Sequence, residues 1–299
     1  MLNGSPPFIC PSCSGELAPT DTSLRCASGH SFDLSSDGYV NLMTAGRLAG
    51  GIAGDSTEMI RARREFFDRG HYSPVMAGVA AMVSRSLDDR PGDHTPHPAR
   101  RPVVLDAGCG EGSYLDAIRS AGPSDSPSLG GIERRGVECV GIDVSKPAIR
   151  LAARRVHDCR FAVASSYRIP LAAATCDIVV SVFAPRPYVE FARVLVDGGS
   201  IITASPGPRH LEGLRGALYD DPAPHENRPH VSEEGFAAPD QRAEVTFDLE
   251  LDAADARRLL QMTPYWWSAT AEQQNSLGEI STTVDIVVAR HVVRPFDSQ

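Results

Sequence analysis

The strongest constraint on this chain is a short apolar run that ends in an acid and opens into glycine at every second position: Val103-Val104-Leu105-Asp106-Ala107-Gly108-Cys109-Gly110-Glu111-Gly112. The apolar part suits a buried strand, and Ser113-Tyr114-Leu115-Asp116-Ala117-Ile118 behind it suits a helix. Glycine lets the backbone take conformations that a Cβ forbids and lets it pass close to a ligand. A strand that feeds a glycine turn and then a helix predicts a nucleotide site in an α/β sheet. The turn departs from G-x-G-x-x-G, and no phosphate-cradling lysine follows it. A second apolar run, Cys139-Val140-Gly141-Ile142, closes on Asp143, an acid that can hold ribose hydroxyls. An adenosine without pyrophosphate fits this pair of features, and S-adenosylmethionine (SAM) is the cofactor expected. The plain alternative is an ordinary strand-to-helix turn.

From Arg101 onward, strand and helix patterns alternate, the mark of a parallel α/β sheet. Strands are predicted at 103–106, 139–143, 160–164, 178–182 and 200–204, with helices at 113–121, 146–156 and 188–195. A strand at 244–251, an amphipathic helix at 253–261 and a strand at 284–291 suit an antiparallel end to the sheet. Residues 122–131 read as a surface insertion, which stretches the interval from Gly112 to Asp143 beyond the usual ~20 residues. Residues 220–240 read as a Pro-rich polar loop.

Near the N-terminus, Cys10-Pro11-Ser12-Cys13 is a closely spaced thiol pair, and Cys26-Ala27-Ser28-Gly29-His30 adds a thiol and an imidazole. Four such ligands fit a tetrahedral structural Zn2+ site, whose full shell leaves no open catalytic position. A segment of about 40 residues is too small to hold a core unaided, so the metal supplies folding energy. A redox pair at Cys10 and Cys13 with an unrelated His30 is the alternative. Phe8, Leu24, Phe32 and Tyr39 read as the mini-core of this module. Cys109, Cys139, Cys159 and Cys176 are scattered in apolar segments and read as small hydrophobes, not as a disulfide framework.

Between the two features, Gly50 to Ser56 reads as a hinge, and Asp55 or Ser56 caps a helix at 57–67. Arg61, Arg63, Arg64 and Arg69 crowd that stretch, as a basic patch or as a solvated face. A second helix is predicted at 75–87, and 88–98 reads as a Pro-rich linker. The division expected is a zinc-ribbon-like RNA-recognition domain at 1–45, a helical connector and linker at 46–99, and a SAM-binding domain at 100–299. The net charge of −9 does not advertise a nucleic-acid binder, so attraction to phosphate has to be local. No apolar run approaches ~20 residues and the start lacks the regions of a signal peptide, so a cytoplasmic protein without a membrane partner is expected.

Further motifs recur in order along the chain. They include Gly54-Asp55-Ser56 with Arg61, Ala62 and Arg63; Gly70-His71-Tyr72; Gly141-Ile142-Asp143-Val144-Ser145-Lys146; and Val163-Ala164-Ser165-Ser166. Phe183-Ala184-Pro185, Thr203-Ala204-Ser205-Pro206-Gly207-Pro208-Arg209-His210-Leu211 and Leu260-Gln261-Met262-Thr263-Pro264 follow. With the zinc ligands and the glycine turn, these motifs make the chain resemble the RlmA-type 23S rRNA (guanine-N1)-methyltransferases from about Phe8 to Val293. The resemblance implies a class I SAM-dependent methyltransferase fold, a Rossmann-like seven-stranded sheet with a small N-terminal zinc-binding domain. It implies SAM as donor and a hairpin of 23S rRNA as substrate, methylated at N1 of one of two nearby guanines. One branch of that family confers resistance to macrolides such as tylosin, and a homodimer is compatible with the resemblance. By family position Tyr72, Cys109, Gly110, Glu111, Gly112, Asp143 and His210 touch SAM, and Asp106, Gly108 and Ser165 complete the expected set. A core role for Tyr72 and a helix-cap role for His210 are the alternatives. The insertion after Ala121, the long linker before Arg101 and the 220–240 loop depart from the family pattern.

SAM carries an electrophilic methyl, so the enzyme has mainly to align donor and acceptor. The amino-methyltransferase motif of Asn or Asp, Pro-Pro and an aromatic is missing; Val182-Phe183-Ala184-Pro185 stands in its place, which suits a ring nitrogen. His71, Glu111 and His210 are candidates for the base, each also readable as a positioning residue. Phe183 or Tyr188 can stack on the target base, with core packing as the alternative. Two other functions fit parts of the pattern: methylation of a small metabolite, and zinc-dependent RNA binding without catalysis.

Overall fold

The computed structural model describes residues 8–44, 55–89, 101–121, 137–219 and 238–293. Most of the hinge at 50–56, most of the 88–98 linker, the 122–131 insertion and most of the 220–240 loop lie outside the described residues.

In the N-terminal module, β1 (Ala18–Pro19), β2 (Ser23–Arg25) and β3 (Ser31–Asp33) form a small antiparallel sheet in the order β1-β2-β3. β4 (Tyr39–Asn41) leaves that sheet. α1 (Thr57–Asp68) starts where the Ser56 hydroxyl accepts from Met59 N at 3.2 Å, satisfying a donor that the first turn leaves free. α2 (Ser73–Asp88) carries Pro74 in its first turn, where no amide is needed.

The alternating half then runs β5 (Val103–Ala107), α3 (Ser113–Ser120), β6 (Glu138–Asp143), α4 (Lys146–Arg155), β7 (Arg160–Val163), β8 (Cys176–Val182), α5 (Tyr188–Val194) and β9 (Leu195–Pro206). It ends with α6 (Glu212–Leu218), β10 (Gln241–Leu251), α7 (Ala253–Gln261), α8 (Tyr265–Ser268), α9 (Ala271–Ser276) and β11 (Ile280–Val292). The main sheet is ordered β10-β11-β9-β8-β5-β6-β7-β4. β4 to β9 pair in parallel wherever they are neighbours, and β11 runs antiparallel to both β9 and β10. All seven expected strands are present. The eighth is β4, which places Tyr39 opposite Phe161 and Asn41 opposite Val163.

β5 is buried at every position because both faces of the sheet are covered. Its side chains alternate between two cores. Val104 joins the one with Phe66, Val75, Leu115 and Ile149; Val103 and Leu105 join the one with Leu24, Ile142 and Phe191. Removing a side chain such as Leu105 from water is worth about 1.5–3 kcal/mol.

In the stretch expected as a helical connector, α1 and α2 supply Phe66, Phe67, Val75, Val79 and Met82 to the first core. The N-terminal module is likewise fastened to the main sheet. Cys10, Leu17 and Leu24 share the second core, Ile9 N donates to Pro170 O at 2.9 Å, and Asp37 accepts from Arg150 Nε at 2.9 Å and Arg154 Nε at 2.7 Å. Among the described residues, no helix is long and apolar enough to cross a membrane.

Candidate active site and metal centre

Between β5 and α3 the chain must reverse within five residues, and Gly108, Gly110 and Gly112 do so with φ of 96°, 55° and 90°. A Cβ on Gly108 would lie 2.6 Å from Ala184 Cβ, which packs the turn against the segment after β8. Gly110 is different. A Cβ there meets only Arg63 Nη1, at 3.7 Å, so its outer face is free for a ligand among the described residues. Gly108 N and Cys109 N both donate to Ile142 O, at 2.8 and 3.0 Å, and bind the turn to the end of β6. The Cys109 thiol is buried, and the residue serves the turn through its backbone.

Three acids converge on this turn. Asp143 accepts from Gly110 N at 3.0 Å through one oxygen and from Ser145 N at 2.8 Å through the other. Burial pushes its pKa up, opposed by those amides and by Arg63. Glu111 is buried and accepts from the Ser113 hydroxyl at 2.6 Å, so it steadies the start of α3. Asp106 is 1% exposed, and neither carboxylate oxygen has a hydrogen-bond partner among the described residues. Burial, and then the charges of Asp143 and Glu111, push its pKa to about 8. A buried carboxyl without a partner is costly and calls for a cationic or donating ligand.

Arg63 lies across the turn. Its guanidinium pairs with Asp55 at 2.6 Å and donates to Met262 O at 3.4 Å. The basic patch read from the sequence therefore resolves largely into ion pairs: Arg63 turns inward, Arg64 meets Asp68 at 3.5 Å and Arg69 meets Asp255 at 3.4 Å.

Next to the turn stands a group of rings. Tyr72 is 2% exposed, with Phe66 at 5.7 Å, Phe67 at 5.4 Å and His210 at 6.5 Å. Burial raises its phenol pKa. His210 is not the cap of α6, a position held by Leu211. Its Nδ1 accepts from Asp285 N at 3.3 Å, which leaves the proton of the neutral ring on Nε2. Phe183 lies nearly parallel to it, 6.1 Å away at 16°. Phe183 is 46% exposed and has φ of 51°, a conformation uncommon for a bulky residue. Tyr188 sits in the core, so of the two stacking candidates only Phe183 faces outward. His71 is committed elsewhere: its Nε2 lies 2.9 Å from Asp255 and its ring rests on Phe66 at 4.5 Å. Ser165 follows β7, and its hydroxyl accepts from Tyr167 N at 3.2 Å.

The ligand atoms of Cys10, Cys13, Cys26 and His30 all lie within 4.8 Å of one another. Cys13 Sγ is 3.6 Å from Cys26 Sγ, and Cys26 Sγ is 3.3 Å from His30 Nδ1. Zinc–sulfur bonds of about 2.3 Å in a tetrahedron put sulfurs about 3.7 Å apart, so the donor set fits zinc. Two tight turns build it, with Ser14 N donating to Cys10 O at 2.8 Å and Gly29 N to Cys26 O at 3.0 Å.

The sequence missed three features of this site: the Asp55–Arg63 pair over the turn, the Asp285 amide behind His210, and the strained backbone of Phe183. Asp55, Arg63 and Phe183 do fall inside the motifs that carry the resemblance, which was the available signal.

Residues 8–47 match the RlmA N-terminal zinc-ribbon family, and residues 104–199 match a methyltransferase-domain family. A Micromonospora griseorubida protein, provisionally named 23S rRNA (guanine-N(1)-)-methyltransferase, is 41% identical over 229 residues, covering 73% of this chain and 72% of its own. The Bacillus subtilis (strain 168) protein YxjB, with the same provisional name, is 32% identical over 288 residues, covering 93% and 94%. The Streptomyces fradiae 23S rRNA (guanine(748)-N(1))-methyltransferase is 33% identical over 210 residues, covering 70% and 66%.

Proposed function

Because the chain belongs to the family of 23S rRNA (guanine-N(1)-)-methyltransferases, we propose that it transfers a methyl group from SAM to N1 of one guanine in a hairpin of 23S rRNA, in the cytoplasm. The observation that carries the reading is the buried Asp106 carboxyl, unpartnered among the described residues, beside a three-glycine turn. SAM has one carboxylate against a sulfonium and an ammonium, so its net charge complements the trio of acids. A pyrophosphate would be repelled by the same trio.

When bound, SAM supplies the electrophilic methyl. The chain's residues bind and orient. Asp106 receives the donor's ammonium, and Arg63 receives its carboxylate, as the cation nearest the open face of Gly110. Asp143 keeps lone pairs for the ribose hydroxyls. Tyr72, His210 and Ser165 complete the binding set. Phe183 offers the ring on which the guanine stacks once it leaves its helix. As the methyl carbon leaves sulfur for N1, the N1 proton passes to solvent water; the charge this places on guanine O6 is steadied by a donor such as His210 Nε2–H. His71 and Glu111 are held by Asp255 and Ser113 and serve as positioning residues. Cys10, Cys13, Cys26 and His30 would hold zinc with four protein ligands, so the metal would shape the N-terminal lobe and offer no open position for transfer.

A methyl on N1 blocks Watson–Crick pairing. Reverse transcription of 23S rRNA from cells carrying this gene should stop beside one guanine, with no stop from cells lacking it. Identical full-length products from both would contradict the reading. The acidic net charge of −9 favours a small-metabolite substrate instead, which label from SAM in low-molecular-weight products would reveal. Protection against a macrolide such as tylosin is the finer role proposed, and growth of a sensitive host at rising drug concentrations tests it.

A further inference from the structure

Four large apolar side chains stand out from the surface among the described residues: Tyr167, Phe183, Val189 and Trp267, exposed by 58%, 46%, 74% and 70%. Three of them sit on two segments that follow parallel strands, at the sheet end where such folds hold their ligands. Those segments are joined. Glu190, next to Val189, accepts from Ile169 N at 2.7 Å; Arg193 donates to Ile169 O at 2.9 Å and to Leu171 O at 2.8 Å, and pairs with Glu190 at 2.7 Å.

The 165–171 strap is pinned at both ends. Ala164 N donates to Asp143 O at 3.0 Å at the cofactor end. Pro170 O accepts from Ile9 N at 2.9 Å, one residue from the zinc ligand Cys10, and Leu171 bridges Phe8. Between the pins, Tyr167 N and Arg168 N donate to the hydroxyl and carbonyl of Ser165 at 3.2 and 3.1 Å. The result is a fixed path from donor site to zinc module that carries an exposed aromatic ring. Arg168 is exposed beside it and has no ion-pair or hydrogen-bond partner for its guanidinium among the described residues.

We propose that this strap is a nucleotide platform: Tyr167 stacks an unpaired base that flanks the target guanine, Arg168 takes its phosphate, and Val189 lines the far side. The inference rests on the rRNA reading above and adds residues to it. A rigid aromatic holds a splayed base with little ordering entropy left to lose. An RNA occupant suits the place better than a second protein chain. The strap borders the Asp143 end of the donor site, and Arg168 offers local positive charge on a chain of net −9.

The test is steady-state methylation of protein-free 23S rRNA, with SAM affinity measured in parallel by calorimetry. Tyr167→Ala should raise KM for the RNA about tenfold, while kcat and SAM affinity stay within about twofold. Tyr167→Phe, which keeps the ring, should restore KM. Val189→Glu, a change at an open surface, should raise KM in the same way by adding negative charge. Wild-type KM in both Tyr167→Ala and Val189→Glu would overturn the platform alone. So would a Tyr167→Ala variant that loses SAM binding, or one whose only defect is loss of a dimer. Wild-type protein that binds SAM yet methylates no rRNA would overturn the rRNA reading, and the platform with it.

Discussion

Asp106 carries the most unusual chemistry of any single residue here. Its carboxyl titrates near 8 in the folded protein against an ordinary value of 3.8. Between those values the unfolded chain is ionised while the folded protein holds the proton. Folding stability without donor should therefore fall as pH rises from about 4 to about 8. Asp106→Asn should melt above the wild type at pH 8, with the difference shrinking toward pH 4; equal melting at pH 8 would contradict the burial argument. Binding a cationic donor favours the ionised form, so SAM should release protons when titrated near pH 7, a heat that varies with buffer. Gly108 makes a second residue-scale case. An added Cβ meets Ala184 at 2.6 Å on a backbone already at φ 96°. Gly108→Ala should lose about 1–3 kcal/mol of stability in urea titrations and bind no SAM. The glycine turn was legible because its constraint is local. The Arg63 contact to Met262 spans 199 positions, and no local pattern reports such a separation.

At the scale of elements, strands with an apolar run of their own announced themselves and β4 did not. β5, β6 and β8 each carry a short apolar run, at 103–105, 139–142 and 178–180. β4 has three residues, too few for any periodicity, and takes its place only through pairing with β7. That pairing makes the zinc site a fastening for the sheet edge. Chelating the metal, or Cys26→Ser, should speed amide exchange across Tyr39–Asn41 and Arg160–Val163 while Val103–Ala107 and Cys176–Val182 stay protected. Protection of β4 that survives metal loss would mean the module folds without it. α1 was ambiguous in sequence because Arg61, Arg63 and Arg64 on the helix and Arg69 at its C-cap look alike whether solvated or paired. Asp55, Asp68 and Asp255 decide the matter for Arg63, Arg64 and Arg69.

Across the whole molecule, an acidic chain is asked to hold an acidic polymer. Its net charge of −9 opposes approach at long range, so recognition must come from short-range fit and local arginines. The fold supplies the means. The zinc module is fastened beside the parallel sheet, and the donor turn, Phe183 and the 165–171 strap lie at the ends of neighbouring strands. The positions of the main strands and the antiparallel end of the sheet could be read from alternation and apolar runs. The docking of the N-terminal module could not, because it depends on Phe8, Ile9 and Asp37 meeting residues more than a hundred positions away. The most direct test of the central claim is to incubate the purified, zinc-loaded protein with labelled SAM and protein-free 23S rRNA, digest the RNA to nucleosides and identify the labelled one by mass spectrometry. The expected product is 1-methylguanosine, about one per rRNA molecule. Label in any other nucleoside, or none in the RNA, would contradict it.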